Sequence, residues 1–362
     1  MQVQTLQPVK LKERIMILDV LRGFAILGIF IMNLESFTFY WAMNDVQKAA
    51  LPLARYDQTT EFLHYVFLEG KFYSIFSMLF GIGFAIYLSK SVSNSIIPLF
   101  KRRLAFLLLI GFIHLLLWTG DIVAFYAMLG FILIPFRKFS NKTLLIVAGL
   151  CILSPIAWYA LKMSNPKIFD LSRWLFAGGD YFSGQQGITS QQDFYNAMRR
   201  VDLVDILKIN LVGIFYRYGD LVFQSRAFKV FGMFLIGLVI GRTQFYNRLK
   251  ENRKLLWYVL IGGLIIGLPA NFIMAHYKGT PAYYQLKLDG LKQTIAYALG
   301  VAPLALAYSA LLALLYQNDA LKKLLNVVAP AGKMALTNYF MHTLIGLFTF
   351  SGLGFAWQPL GP

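Results

Sequence analysis

The chain has 362 residues, of which 58% are hydrophobic, 16% aromatic and only 14% charged. A soluble domain carries about 25% charged residues, so this composition, with a mean hydropathy of +0.59, excludes an ordinary soluble fold. A net charge of +17 would suggest nucleic acid on a soluble protein, but no basic-aromatic stripe or zinc spacing accompanies it, so nucleic acid is not an expected partner.

Apolar runs of about 20 residues point to one polytopic membrane domain over residues 1–362, with the lipid bilayer as its surroundings. Each run must be helical, because only a helix satisfies its own backbone in lipid. The expected fold is therefore all-α, a transmembrane helical bundle with about nine visible spans.

The first span, 16–39, contains LDVLRGFAILGIFIMNL and reads as a retained signal-anchor. Asp19 and Arg22 stand about one turn apart and can pair. Arg22 and Asn33 are eleven residues apart, on one face and ~16 Å apart along the axis. Ionisable groups inside a span are functional candidates by default, and the alternative is snorkelling by Arg22 with Asn33 as a packing contact. The second span, 71–89, opens with Glu69 and Lys71 at its outer end. Spans at 104–118 and 121–136 are short and joined by a tight TGD hairpin. His114 lies well inside the first of them, and Asp121 follows at the turn, where a carboxylate could orient the imidazole.

A fifth span covers 143–161 and holds the one cysteine, Cys151, so no intrachain disulfide forms. Residues 162–225 form one long extracytoplasmic connection whose second half, Val201 to Phe223, reads as an amphipathic interfacial helix. Spans follow at 226–243, 255–275, 293–316 and 333–356. Gly237 with Gly241 and Gly263 with Gly267 are small-residue pairs suited to close helix packing. The last span brings Asn338 and His342 in from a cytoplasmic rim marked by Lys333.

Eighteen Lys and Arg fall in the connections on the N-terminal side of the membrane and five in the short connections opposite. The N-terminus is therefore expected in the cytoplasm. Two polar groups emerge. The inner one, with Arg22, Arg103, Lys333, Asn338 and His342, would suit a phosphate-bearing molecule. The outer one, with Asn33, Glu35, Glu69, Lys71, His114 and Asp121, would suit a general base. No Walker A, GxSxG, HExxH or paired CxxC motif occurs, and no metal site is expected.

The stretches LDVLRGFAILGIFIMN (18–33), GKFYSIFSMLFGIG (70–83), GFIHLLLWTGDIVAFYAMLG (111–130), FGMFLIGLVIGR (231–242) and GKMALTNY (332–339) together resemble the YeiB-like family of bacterial membrane proteins. The carboxy-terminal part of that family is a domain of unknown function. The family is similar to the transmembrane acyltransferases, which include heparan-α-glucosaminide N-acetyltransferase. The resemblance implies a protein of the bacterial cytoplasmic (inner) membrane that moves an acyl group from cytosolic acyl-CoA to an envelope glycan or lipid acceptor. Arg22, Arg103, Lys333 and Asn338 would hold the donor, and Glu69 and Lys71 the acceptor. His114 would be the base, oriented by Asp121, with Asn33 donating to the oxyanion.

The acetyltransferase shares the D-x-x-R-G plus Asn pattern, here Asp19, Arg22, Gly23 and Asn33, but its catalytic histidine corresponds to Asn44. YeiB-like chains usually have ten spans and end in a Gly-Pro-x-Glu-Trp-Leu-Trp-Arg tail, whereas this one stops at AWQPLGP, as a truncated chain would. Gly332-Lys333 replaces the usual Gly-Arg. A transporter or flippase of a small solute or lipid, with the Arg22–Asn33 face as its path, and a non-catalytic scaffold or sensor are the alternatives.

Overall fold

A computed structural model describes residues 15–89, 96–278 and 282–361. Lys10, Lys12, Arg14 and Lys90, counted above among the basic residues, lie outside the described residues. Helices in chain order are α1 (Met16–Phe37), α2 (Asp45–Ala49), α3 (Asp57–Phe67), α4 (Lys71–Ser89), α5 (Ile96–Leu117), α6 (Val123–Phe136), α7 (Asn141–Ser164) and α8 (Pro166–Phe169). They continue as α9 (Ser172–Gln185), α10 (Gln191–Met198), α11 (Leu203–Phe223), α12 (Arg226–Arg242), α13 (Arg253–Lys278), α14 (Leu288–Leu315), α15 (Asp319–Leu325), α16 (Ala329–Lys333) and α17 (Ala335–Phe350). No strand occurs among the described residues, so the fold is an all-α helical bundle.

All nine expected segments are helical, but they do not all have the length and composition of a span. Five stretches do: Met16–Ala42, Ala54–Ser89, Asn141–Ser164, Arg253–Lys278 and Leu288–Leu315. The pair α11–α12, bent by 66° at its break, makes a sixth if taken as one span. Lys101, Arg102 and Arg103 near the start of α5 interrupt its apolar run, while α6 and α17 have only 14 and 16 residues.

Packing follows the small residues. Helix α4 lies against α12, and α13 against α14. A Cβ on Gly237 would fall 1.9 Å from the Met78 carbonyl oxygen, and one on Gly81 2.0 Å from that of Phe234. The two backbones therefore touch at a glycine on each side. Gly263 meets the Pro303 carbonyl of α14 in the same way. Around the α4–α12 seam sits the largest apolar core, with Phe84, Leu104, Leu133, Leu144, Phe234 and Leu238 all buried.

The connection 162–225 is helical along most of its length, as α8 to α11, where only its second half was expected to be. Helix α11 packs on α9 and on α5. Buried Asn210 donates through Nδ2 to the carbonyls of Leu116 (3.1 Å) and Leu117 (2.7 Å), which end α5 and have no helical partner. At the other end of α11, Ser225 takes a left-handed φ of 53° and starts α12 in a new direction. Lys162, only 1% exposed, donates to the Phe223 carbonyl at 2.6 Å and closes the end of α11. Asn210→Ala is expected to lose about 1–2 kcal/mol, read as faster hydrogen exchange in α11 with α13 and α14 unchanged.

Candidate functional site: a cationic-rimmed cavity and a buried histidine chain

A close crossing of α1 with α16 builds the first part of the site. A Cβ on Gly332 would lie 1.8 Å from the Asp19 carbonyl oxygen, and one on Gly23 2.1 Å from that of Val328. Only glycine at both positions lets the first turns of α1 come alongside Lys333. Beside this crossing, α1, α4, α5, α6 and α17 enclose a cavity of about 600 Å³. Asp19, Arg22, Arg103 and Lys333 line it together. The rest of the lining is largely apolar, including Phe76, Leu79, Phe80, Phe84, Phe100, Leu104 and Leu336, with Tyr126 among them.

Arg22 Nη1 donates to Asp19 Oδ1 at 2.8 Å, and the second Asp19 oxygen is buried without a partner among the described residues. Arg103 and Lys333 are exposed at the rim and form no ion pair among the described residues. Asn338 is not part of the lining; its Nδ2 donates to the Ala331 carbonyl at 3.0 Å and ties α17 to α16. His342 packs its ring 4.4 Å from that of Phe30, and its Nδ1 has no partner among the described residues.

The second part lies behind the cavity wall. His114, 4% exposed, places Nδ1 2.7 Å from Asp121 Oδ1, and Asp121 is 2% exposed. The turn after α5 thus returns Asp121 onto the helix it has just left. Its other oxygen accepts from the Ala124 amide at 2.8 Å, so Asp121 also opens α6. On the far side of the imidazole, Nε2 lies 3.0 Å from Thr343 Oγ1 in α17. With Asp121 ionised, Nδ1–H donates to the carboxylate and Nε2 accepts from the threonine hydroxyl. That is the polar order of a hydroxyl, a base and an orienting acid. Tyr339, Phe340 and Trp118 pack around the ring. Ile122 and Val123, next to Asp121, line the cavity, whereas His114, Asp121 and Thr343 do not.

The outer group does not gather as one cluster. Asn33 is half-buried and makes no hydrogen bond among the described residues, to His114 or otherwise. One turn on, Ser36 accepts from Trp118 Nε1 at 3.0 Å, which links α1 to the wall around His114. Lys71 is fully buried and donates to the Tyr65 carbonyl at 2.8 Å. Glu69 lies in the field of Lys278, Arg226, His64 and Lys71 and makes no hydrogen bond to the histidine chain among the described residues. Arg217 stands between the two regions, donating to the Gly120 and Asp121 carbonyls at 3.3 and 3.1 Å.

Sequence reasoning missed Thr343, Arg217 and Tyr126. Thr343 sits beside the histidine that was singled out instead. A helix turns about 100° per residue, so the neighbour of a candidate faces elsewhere, and only the path of α17 decides which one meets α5. No group of three or more His, Cys, Asp or Glu able to hold a metal ion occurs among the described residues.

The fold and these sites define a polytopic helical membrane protein with a cationic-rimmed apolar cavity. Residues 240–360 match a family model described as "Protein of unknown function (DUF418)". Over 97% of its length the chain is 29% identical to the "Uncharacterized protein YxaH" of Bacillus subtilis, covering 86% of that protein. It is 28% identical to the "Uncharacterized protein YeiB" of Escherichia coli, over 94% of this chain and 85% of that one. A 39.9 kDa protein from the amylase 3′ region of Bacillus acidopullulyticus is 26% identical over 94% of this chain and 80% of its own. No solved structure matches the chain. Along nearly its whole length the chain is thus similar to YxaH and YeiB, and its carboxy-terminal third to the family of unknown function.

Proposed function

We propose that the protein is an acyltransferase of the bacterial cytoplasmic membrane that takes an acyl group from cytosolic acyl-CoA and delivers it to an extracytoplasmic glycan or lipid. One observation carries the reading. Three cations from three separate segments, Arg22, Arg103 and Lys333, line one cavity that is otherwise mostly apolar. An amphiphile with a phosphate-bearing head and an apolar tail matches that division of surface. The distribution of Lys and Arg along the chain supports a cytoplasmic side for these cations, where acyl-CoA is found. Arg22, half-buried where Arg103 and Lys333 are exposed, would hold the phosphate nearest the thioester.

His114 would remove the proton of the attacking hydroxyl or amine, and Asp121 would keep its Nδ1 protonated so that Nε2 is the accepting nitrogen, which the substrate would take over from Thr343. Asn33, with its amide unengaged, would donate to the developing oxyanion from the opposing helix. In the described conformation Tyr339 and Phe340 pack against His114, so transfer requires the turn of α17 that carries them to move. Glu69 and Lys71 would bound the acceptor side.

Calorimetric titration of the purified protein in detergent with palmitoyl-CoA tests the donor. Saturable binding is expected, weakened about tenfold by Arg22→Gln or Arg103→Gln, because a hydrogen bond to a charged group contributes about 1.5–3 kcal/mol. Absence of binding removes the donor from the scheme. Lipid or solute movement in proteoliposomes without acyl-CoA would favour transport instead.

A further inference from the structure

The break between α11 and α12 gathers charge that neither the cavity nor the histidine chain uses. Arg226 opens α12 beside the left-handed Ser225, and Lys229 follows almost one turn later. Arg226 donates to Gln224 Oε1 at 2.6 Å and lies over the Tyr73 ring, while its Nε is buried without a partner among the described residues. Lys229 is half-buried with its ammonium 3.8 Å from the centre of the Tyr297 ring. It makes no hydrogen bond or ion pair among the described residues. Lys278, at the end of α13, lies over the Tyr65 ring.

Acids are near, but none forms an ion pair with this group among the described residues. Both oxygens of Asp220 accept from Gln224, and one also from the Tyr284 hydroxyl at 2.9 Å. Glu69 faces Lys278, Arg226, His64 and Lys71 without an ion pair among the described residues. Cations held inside a bundle without a paired counter-ion call for an anion from elsewhere.

A narrow pocket marks the place. Lys229, Lys278, Gln224, Gln293 and Tyr297 are among the residues lining a space of about 20 Å³, room for about one water-sized group. Gln293 is 4% exposed, and its Oε1 has no partner among the described residues. Turning that carboxamide presents its two N–H donors to the same space. Two ammonium groups and an amide then converge on one small anionic group, the donor set that suits a phosphate. The four-carbon stems of the lysines let the site widen around it. The start of α12, the end of α13 and the start of α14 form the pocket, and the Lys and Arg distribution puts these ends outside.

We infer that this pocket binds a single phosphate group presented from the extracytoplasmic side, whether on a lipid headgroup or free. The inference does not depend on the acyl-donor reading. Melting of the purified full chain in detergent is measured against inorganic phosphate at constant ionic strength, with sodium chloride as the reference. A second arm compares nanodiscs of phosphatidylcholine with discs that also contain phosphatidylglycerol. A saturable rise in Tm with inorganic phosphate is expected for a site that takes the free ion. A rise confined to the phosphatidylglycerol discs identifies the lipid headgroup as the source. Lys229→Gln should weaken the response about tenfold, Lys229→Arg should retain it, and Gln293→Met should reduce it even if Lys229→Gln does not fold. Palmitoyl-CoA binding by Lys229→Gln should match the unsubstituted protein. No response in either arm, an equal response to chloride, or a folded Lys229→Gln that responds like the unsubstituted protein overturns the inference.

Discussion

Replacing Asp121 by alanine is expected to destabilise the junction of α5, α6 and α17 by about 2–4 kcal/mol. Two losses combine. The buried His114 Nδ1–H is left without its acceptor, which costs about 1–3 kcal/mol. The Ala124 amide at the start of α6 loses its cap, worth about 1 kcal/mol. Both contacts are short, at 2.7 and 2.8 Å, and water does not reach residues that are 4% and 2% exposed. Asp121→Asn should be milder, because its carboxamide oxygen still accepts one of the two hydrogen bonds. Thr343→Ala should be milder too, since it removes one contact to Nε2 and leaves the acidic partner in place. A double-substitution cycle of Asp121→Asn with His114→Phe, read by thermal melting in detergent, should show strong coupling. Additive effects would mean that the pair contributes nothing as a pair.

Gly237→Leu is expected to have the largest effect of any single change. Even alanine places a Cβ 1.9 Å from the Met78 carbonyl oxygen. The atom it meets is backbone, so no side chain can rotate away, and α4 and α12 must separate. Overpacking of this kind costs about 1–3 kcal/mol and occasionally more. Leucine should exceed that range and yield no monodisperse protein on gel filtration. Gly262 supplies the control, because a Cβ there meets nothing within 4 Å. Gly262→Ala should leave stability unchanged or raise it by up to about 1 kcal/mol, the helix-propensity difference between glycine and alanine. If Gly237→Ala and Gly262→Ala melt alike, the two helices are not in backbone contact.

Much of this architecture is written in residue periodicity. Apolar length announces α1, α4, α7, α13 and α14, because lipid demands internally bonded helices wherever such runs occur. The pairing of Asp19 with Arg22 follows from spacing within one helix, and the GxxxG pairs mark the faces where α12 meets α4 and α13 meets α14. What spacing does not carry is which helix faces which. The convergence of Arg22, Arg103 and Lys333 depends on the crossing of α1 over α16, set by Gly23 and Gly332 some three hundred residues apart. The approach of Asp121 to His114 depends on the exact reversal at Gly120, where helical periodicity stops being informative. Residues 162–225 read as a polar loop because short helices rich in Gly, Gln and Asp carry little hydropathy signal. Arg226 and Lys229 fall inside the span expected at 226–243, and nothing in sequence showed that the rings of Tyr73 and Tyr297 lie against them.

Helix α6 has 14 residues, so it rises only about 21 Å, and α17, with 16 residues, about 24 Å. A hydrocarbon layer is about 30 Å thick. Where these two helices meet lipid, acyl chains must compress or tilt to meet them, and mismatch of this kind costs a fraction of a kcal/mol per Å. Where their exposed residues face lipid, local thinning of the bilayer beside the cavity is the expected result, with headgroups drawn toward the bilayer centre. Such a dimple shortens the distance between the two aqueous phases at one side of the molecule. It also favours annular lipids with shorter tails, which would give the protein a preference among membranes of different thickness.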